Sequence, residues 1–94
     1  MRPLFDWDPK KAQTNEAKHA ISFEEASTVF GDPLALTSPD ESASDPGEER
    51  SVTVGRSYGG RTLIVVHYDE GDRVRIISAR AATGRERRIY EEGK

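Results

Sequence analysis

The 94 residues match one ordinary domain, and with 34% of them apolar and 33% charged they are expected to fold as a single unit over residues 1–94, around a thin core that would profit from a stabilising partner. The absence of cysteine excludes a disulfide framework, a thiolate metal site and a thiol nucleophile. The net charge of −3 argues against a general nucleic-acid binder, yet it averages two opposed blocks: six acids and no base from Gly31 to Glu49, and six arginines against the single acid Glu86 from Arg73 to Arg88.

Leu4 to Trp7 reads as a short extended segment. Asp6 and Asp8 stand where a secretory leader would carry basic and then apolar residues, and the longest apolar run, Leu63 to Val66, is far too short to span a bilayer, so a cytoplasmic location is expected. Asp8-Pro9 supplies an N-cap acceptor and a proline at the first helical position, which predicts a helix from Pro9 to about His19. Its apolar stripe is weak, Ala12 and Ala17, so tertiary contacts must hold it.

Ser22-Phe23-Glu24-Glu25 fits a capping box, with Ile21 and Ala26 as a hydrophobic staple, and predicts a second helix with Phe23, Ala26, Val29 and Phe30 on one face. Gly31 and Pro33 end it. Leu34 to Thr37 predicts a short strand, and residues 38–49 read as a flexible acidic loop.

Three strands in meander order follow, Arg50 to Ser57, Arg61 to Asp69 and Arg73 to Ala79, joined by turns at Gly59-Gly60 and Glu70-Gly71-Asp72. In the first, Val52 and Val54 alternate with Ser51, Thr53 and Gly55, the pattern of a half-buried sheet. The second is apolar on both faces and is expected at the centre. Thr83-Gly84-Arg85-Glu86 is a second capping box and opens a terminal helix to about Glu92. The order is an α+β arrangement, β-α-α-β-β-β-β-α, with helices packed on a central antiparallel sheet.

No phosphate loop, GxSxG elbow or dinucleotide fingerprint occurs, and His19 and His67 lack a histidine partner at helical spacing, so neither metal nor cofactor is expected. The remaining chemistry is cationic: Lys18, Arg50, Arg61, Arg80, Arg85, Arg87 and Arg88, with His19, His67 and Tyr90. RNA can be cut without a metal when its own 2′-OH attacks the adjacent phosphate. The protein then orients that group, assists proton transfer and stabilises charge on phosphorus, a task suited to arginine's planar fork.

Each of these residues also has an ordinary structural role open to it. Arg85 and Arg88 suit a solvated helix face, His19 a helix C-terminus, and His67 a hydrogen-bonded core position. Trp7 and Tyr58 are expected to pack rather than stack on bases. Arg80 differs, because it ends a strand just before a capped helix, where side chains and amide donors converge on an anion.

Taken together, Phe5-Asp6-Trp7-Asp8, Lys18-His19, Ser22-Phe23-Glu24-Glu25-Ala26, Asp32-Pro33, Gly47-Glu48-Glu49-Arg50, Ile77-Ser78-Ala79-Arg80-Ala81-Ala82-Thr83, Glu86-Arg87-Arg88 and Tyr90-Glu91-Glu92 resemble the BrnT family of type II toxins. The resemblance runs over nearly the whole chain, and it is the order and spacing of the pieces that make it specific. It implies a RelE-like fold, metal-independent cleavage of RNA, and neutralisation by a BrnA-like antitoxin with a ribbon-helix-helix domain. That partner is expected in a 2:2 heterotetramer that reaches operator DNA only through the antitoxin and represses its own operon.

Carried over by position, the resemblance assigns catalysis to Lys18, His19, Arg61, Arg80 and Tyr90, and RNA binding to Arg50, Thr83 and Arg87. Arg61 and Arg80 would hold the scissile phosphate in one pocket, His19 or Lys18 would move a proton, and Tyr90 would position a base or the sugar. Family members often carry glycine after the Lys-His pair, where this chain has Ala20, so the end of the first helix is a point of difference. Apart from the resemblance, the residues also fit a non-enzymatic protein-binding module or an inactive toxin homologue. A DNA-binding regulator acting alone is disfavoured, since the helix after Ser22 is acidic at its start.

Overall fold

A computed structural model describes residues 4–40 and 49–93. Strand β1 (Leu4–Asp6) leads into helix α1 (Pro9–His19), and then come α2 (Phe23–Ser27) and a 3-10 turn (Thr28–Gly31). Strands β2 (Leu36–Pro39), β3 (Arg50–Arg56), β4 (Thr62–Glu70) and β5 (Arg73–Ala81) follow, and α3 (Gly84–Glu92) closes the chain. The predicted order of elements holds throughout.

Three of the predicted details shift. The second helix tightens into the 3-10 turn after Ser27. Asp32 then organises a turn: its Oδ1 accepts from the Leu34 amide and its carbonyl accepts from the Ala35 amide, so Pro33 and Leu34 are spent on the turn and β2 starts at Leu36. The strand therefore takes in Ser38 and Pro39, and of the rest of the expected acidic loop Asp40 and Glu49 are described while residues 41–48 lie outside the described residues.

The sheet has five strands in the order β1-β5-β4-β3-β2, so β4 is central as its pattern requires. All neighbours are antiparallel except β1 and β5, which pair parallel through Leu4, Phe5 and Asp6 opposite Arg73, Val74 and Arg75. The sheet is thus mixed rather than purely antiparallel, because β5, the last strand of the chain, runs beside the first strand β1 in the same direction. One irregularity matters below: Val66 faces Ser78 but His67 faces Ile76, so Ile77 is a bulge in β5.

Helices α1 and α2 cover one face. Ile21, Phe23, Ala26 and Val29 pack there on Leu63, Val65, Ile76 and Ala79, all essentially buried. Each large apolar side chain so enclosed contributes about 1.5–3 kcal/mol. On β3 this covered face carries Thr53 and Gly55, while Val52 and Val54 point to the other. Gly55 is required: a Cβ there would stand 2.8 Å from Val29 Cγ1, where the 3-10 turn crosses the strand. The second face carries Val54, Ile64 and Leu36 in one cross-strand row, next to Ile89 of α3.

Candidate active site

Beyond Arg75 no described strand pairs with the outer edge of β5, and Asn15 of α1 occupies that position. Its Nδ2 donates to the Ala79 carbonyl at 2.9 Å and to the Ile21 carbonyl at 3.1 Å, while its Oδ1 accepts from the Ala79 amide at 3.1 Å. This buried amide does for α1 what its apolar stripe does not, since Ala17 is exposed. With Asn15 fixed, helical spacing turns two rows along the β5 edge, Lys10-Thr14-Lys18 and Lys11-Asn15-His19. They wall a groove of about 320 Å³ whose floor is Ile77 and Ser78, at the β5 bulge.

The helix closes on Ala20, which adopts the left-handed conformation with φ 58° and donates its amide to the Glu16 carbonyl. This conformation suits glycine, so the helix ends as a glycine would end it, at the expense of about 1 kcal/mol of strain. Arg61 braces the same point. Its Nη2 donates to the Ala20 carbonyl at 3.3 Å and to Glu25 Oε1, and its Nε donates to Glu25 Oε2. Ser57 also donates to Glu25. The hydrogen bond from Arg61 holds the buried Glu25 carboxyl below the usual range, against burial, which pushes the other way.

Arg80 leaves the sheet on the opposite face, in the row of Ile64 and Val54. Its two terminal nitrogens bind both oxygens of Glu86 at 2.7 and 2.8 Å. Glu86 is also the capping-box residue of α3: it accepts from the Thr83 amide while Thr83 Oγ1 accepts from the Glu86 amide. The Arg80 hydrogen bonds bring the Glu86 carboxyl down to about 2. Arg80 and Ser78 point to the same face two residues apart, roughly 7 Å along the strand, so Arg80 lies beyond the Ser78 end of the α1 groove and does not line it.

The single pocket expected for Arg61 and Arg80 is therefore not what the fold builds. Arg61, just before β4, turns toward Glu25 of α2 on the covered face, and alternation along β5 puts Arg80 on the side of α3. Lys18, His19 and Arg61 gather at the end of α1, and Arg80, Thr83 and Arg87 gather at the start of α3. Arg50 shares the face of Arg80 but lies opposite Tyr68, about 13 Å further along β4. Tyr90 is buried and donates to Asp32 Oδ2, which also accepts from the Arg56 amide. That bond to Asp32, followed by burial, raises the Tyr90 hydroxyl above its ordinary value.

His67 is a core residue, held by Thr53 Oγ1 at 2.8 Å and Asp69 Oδ1 at 2.9 Å, with Phe30 edge-on. Trp7 packs edge-on against Phe23, as expected, but Tyr58 does not pack: it is 80% exposed on the β3–β4 turn.

A model of the ribonuclease toxin BrnT of type II toxin-antitoxin systems matches residues 7–86. The chain belongs to the BrnT family. Its structure is similar to the crystal structure of the Brucella abortus ribonuclease toxin BrnT, with a TM-score of 0.64 and 26% identity over 88% of this chain and 97% of that one. Among curated proteins none matches. The α+β architecture, with three helices and a five-stranded mixed sheet, is thus the RelE-like BrnT fold. Within this BrnT-family chain, sequence reasoning missed Lys10, Lys11 and Asn15. The spacing i, i+4, i+8 from Lys10 to Lys18 and from Lys11 to His19 was the signal that could have found them.

Proposed function

We propose that this BrnT-family chain is a ribonuclease toxin that cuts RNA without a metal ion, at the junction of the α1 groove and Arg80. In this reaction the 2′-oxygen forms a bond to phosphorus while the bond from phosphorus to the 5′-oxygen breaks, leaving a 2′,3′-cyclic phosphate and a 5′-hydroxyl. His19, with Lys18 beside it, takes the proton of the 2′-OH, and the departing 5′-oxygen takes a proton from solvent water. Arg80 holds the phosphate oxygens by exchanging the Glu86 carboxylate for the substrate.

The observation that carries this reading is the placement of Arg80 two residues along β5, on the same face, from Ser78 at the floor of a groove whose wall includes Lys18 and His19. Thr83 and Arg87, on the first turn of α3, and Arg50, further along the same face, bind flanking RNA. Arg61 and Tyr90 take supporting roles in place of direct catalysis: Arg61 fixes the end of α1 that carries His19, and Tyr90 fastens α3 to Asp32.

A cognate antitoxin of the BrnA type, a ribbon-helix-helix protein, neutralises the toxin in the cytoplasm, and the complex represses their shared operon. No described helix is long and apolar enough to cross a membrane. The test is RNA incubated with the chain in EDTA. The intact chain should leave cyclic phosphate ends, and Arg80→Ala should cut at least about 100-fold more slowly with an unchanged circular dichroism spectrum. An intact chain that cuts no RNA at any ionic strength would favour a protein-binding module.

A further inference from the structure

The α1 groove extends well past the residues assigned to chemistry. Lys10 and Lys11 lie two turns before Lys18 and His19 on the same two rows, about 12 Å up the helix. No carboxylate lines the groove, and among the described residues no acid pairs with Lys10, Lys11 or Lys18. The nearby Asp8 carboxylate is turned to the Lys10 backbone amide as the helix cap. The three buried-amide bonds of Asn15 hold this wall at a fixed height over β5. Ile77, released from pairing by the bulge, gives the floor an apolar spot beside the hydroxyl of Ser78.

We propose that Lys10 and Lys11 form a second phosphate subsite, which binds the backbone of single-stranded RNA next to the cleaved bond while a base rests on Ile77. This inference depends on the ribonuclease reading for its ligand. Physically it is a track: cations on one wall follow the phosphates, and the apolar floor accepts a base of any identity, so the subsite contributes affinity and register in place of sequence choice.

The experiment measures binding of a 2′-O-methyl oligoribonucleotide, which cannot be cut, by the full chain at several salt concentrations. For Lys10→Ala/Lys11→Ala the affinity should fall about tenfold near 0.1 M salt, and the slope of log affinity against log salt should shrink by about 1.4, the release of two phosphate contacts. Lys10→Arg/Lys11→Arg should restore both. Unchanged affinity and slope in the alanine variant, or no binding by the intact chain, would overturn the subsite. The two readings fail separately: a chain that cuts RNA but binds equally well without the lysines loses only the subsite. A chain that loses binding without them but never cuts RNA loses only the ribonuclease assignment.

Discussion

On one face of the sheet Arg61 reaches a buried Glu25 that Ser57 also holds, and its guanidinium braces the carbonyl of Ala20 as well. On the other, Arg80 meets Glu86 in a two-pronged pair and touches the carbonyl of its own neighbour Ala81, and the Glu86 side chain keeps 32% of its surface exposed on the first turn of a helix that exposes Arg85, Arg87 and Arg88. The chemistry of the two pairs is similar, but their surroundings are not. Removing Glu25 from Arg61 would open the junction of α1, α2 and the β3–β4 turn. Removing Glu86 from Arg80 would loosen only the first turn of α3. The covered face closes on a buried carboxylate, and in the proposed reaction the α3 face is where a phosphate takes the place of one.

The largest expected effect tests the covered face. Asn15→Ala removes three hydrogen bonds and leaves the outer amide and carbonyl of Ala79 without their partner. It should cost about 3 kcal/mol in urea unfolding, and a cost below 1 kcal/mol would show that α1 is held by something else. Arg61→Ala should lower the thermal midpoint by several degrees and reduce cleavage per folded molecule far less than Arg80→Ala does. Equal catalytic losses would return Arg61 to the phosphate.

Glu86→Gln sharpens the contrast from the other side. It weakens the α3 capping box by about 1 kcal/mol and changes the acid response. The folded Glu86 carboxyl is depressed to about 2, so its contribution to stability is complete above the ordinary carboxylate value and is lost as pH falls toward 2. Urea midpoints measured from pH 5 down to pH 2 should fall less steeply in the glutamine variant, with the remaining slope left to Glu25 and Asp32, both also lowered. Identical slopes would remove the ion pair from the account. The smallest effect is a gain: Ala20→Gly relieves the left-handed strain and should raise stability by about 0.5–1 kcal/mol, read as a higher urea midpoint.

The helix caps, the meander and the central strand could be read from the sequence because each rests on local chemistry. Asp8-Pro9 and Thr83 cap as expected, Ser22 caps α2 without the expected box because the Glu25 carboxylate goes to Ser57 and Arg61, and the glycines at positions 60 and 71 take the positive φ of tight turns. What could not be read depended on the partner of each face. Val52 and Val54 look like the inner residues of β3, but the inner face is Thr53 and Gly55, because Thr53 is bonded to the buried His67 and Gly55 gives way to Val29. The placement of the candidate site residues was legible only in part for the same reason. Lys18 and His19 line one groove, with Arg80 two residues along β5 from its Ser78 floor, whereas the turn before β4 directs Arg61 to Glu25, and burial directs Tyr90 to Asp32.

The claim at the centre is that Glu86 and an RNA phosphate compete for Arg80, and a double-mutant cycle on binding of a non-cleavable RNA tests it. The account predicts that Glu86→Gln tightens binding when Arg80 is present and has no such effect in an Arg80→Ala background. An equal gain in both backgrounds would mean that Glu86 acts only by general repulsion and that Arg80 does not hold the phosphate.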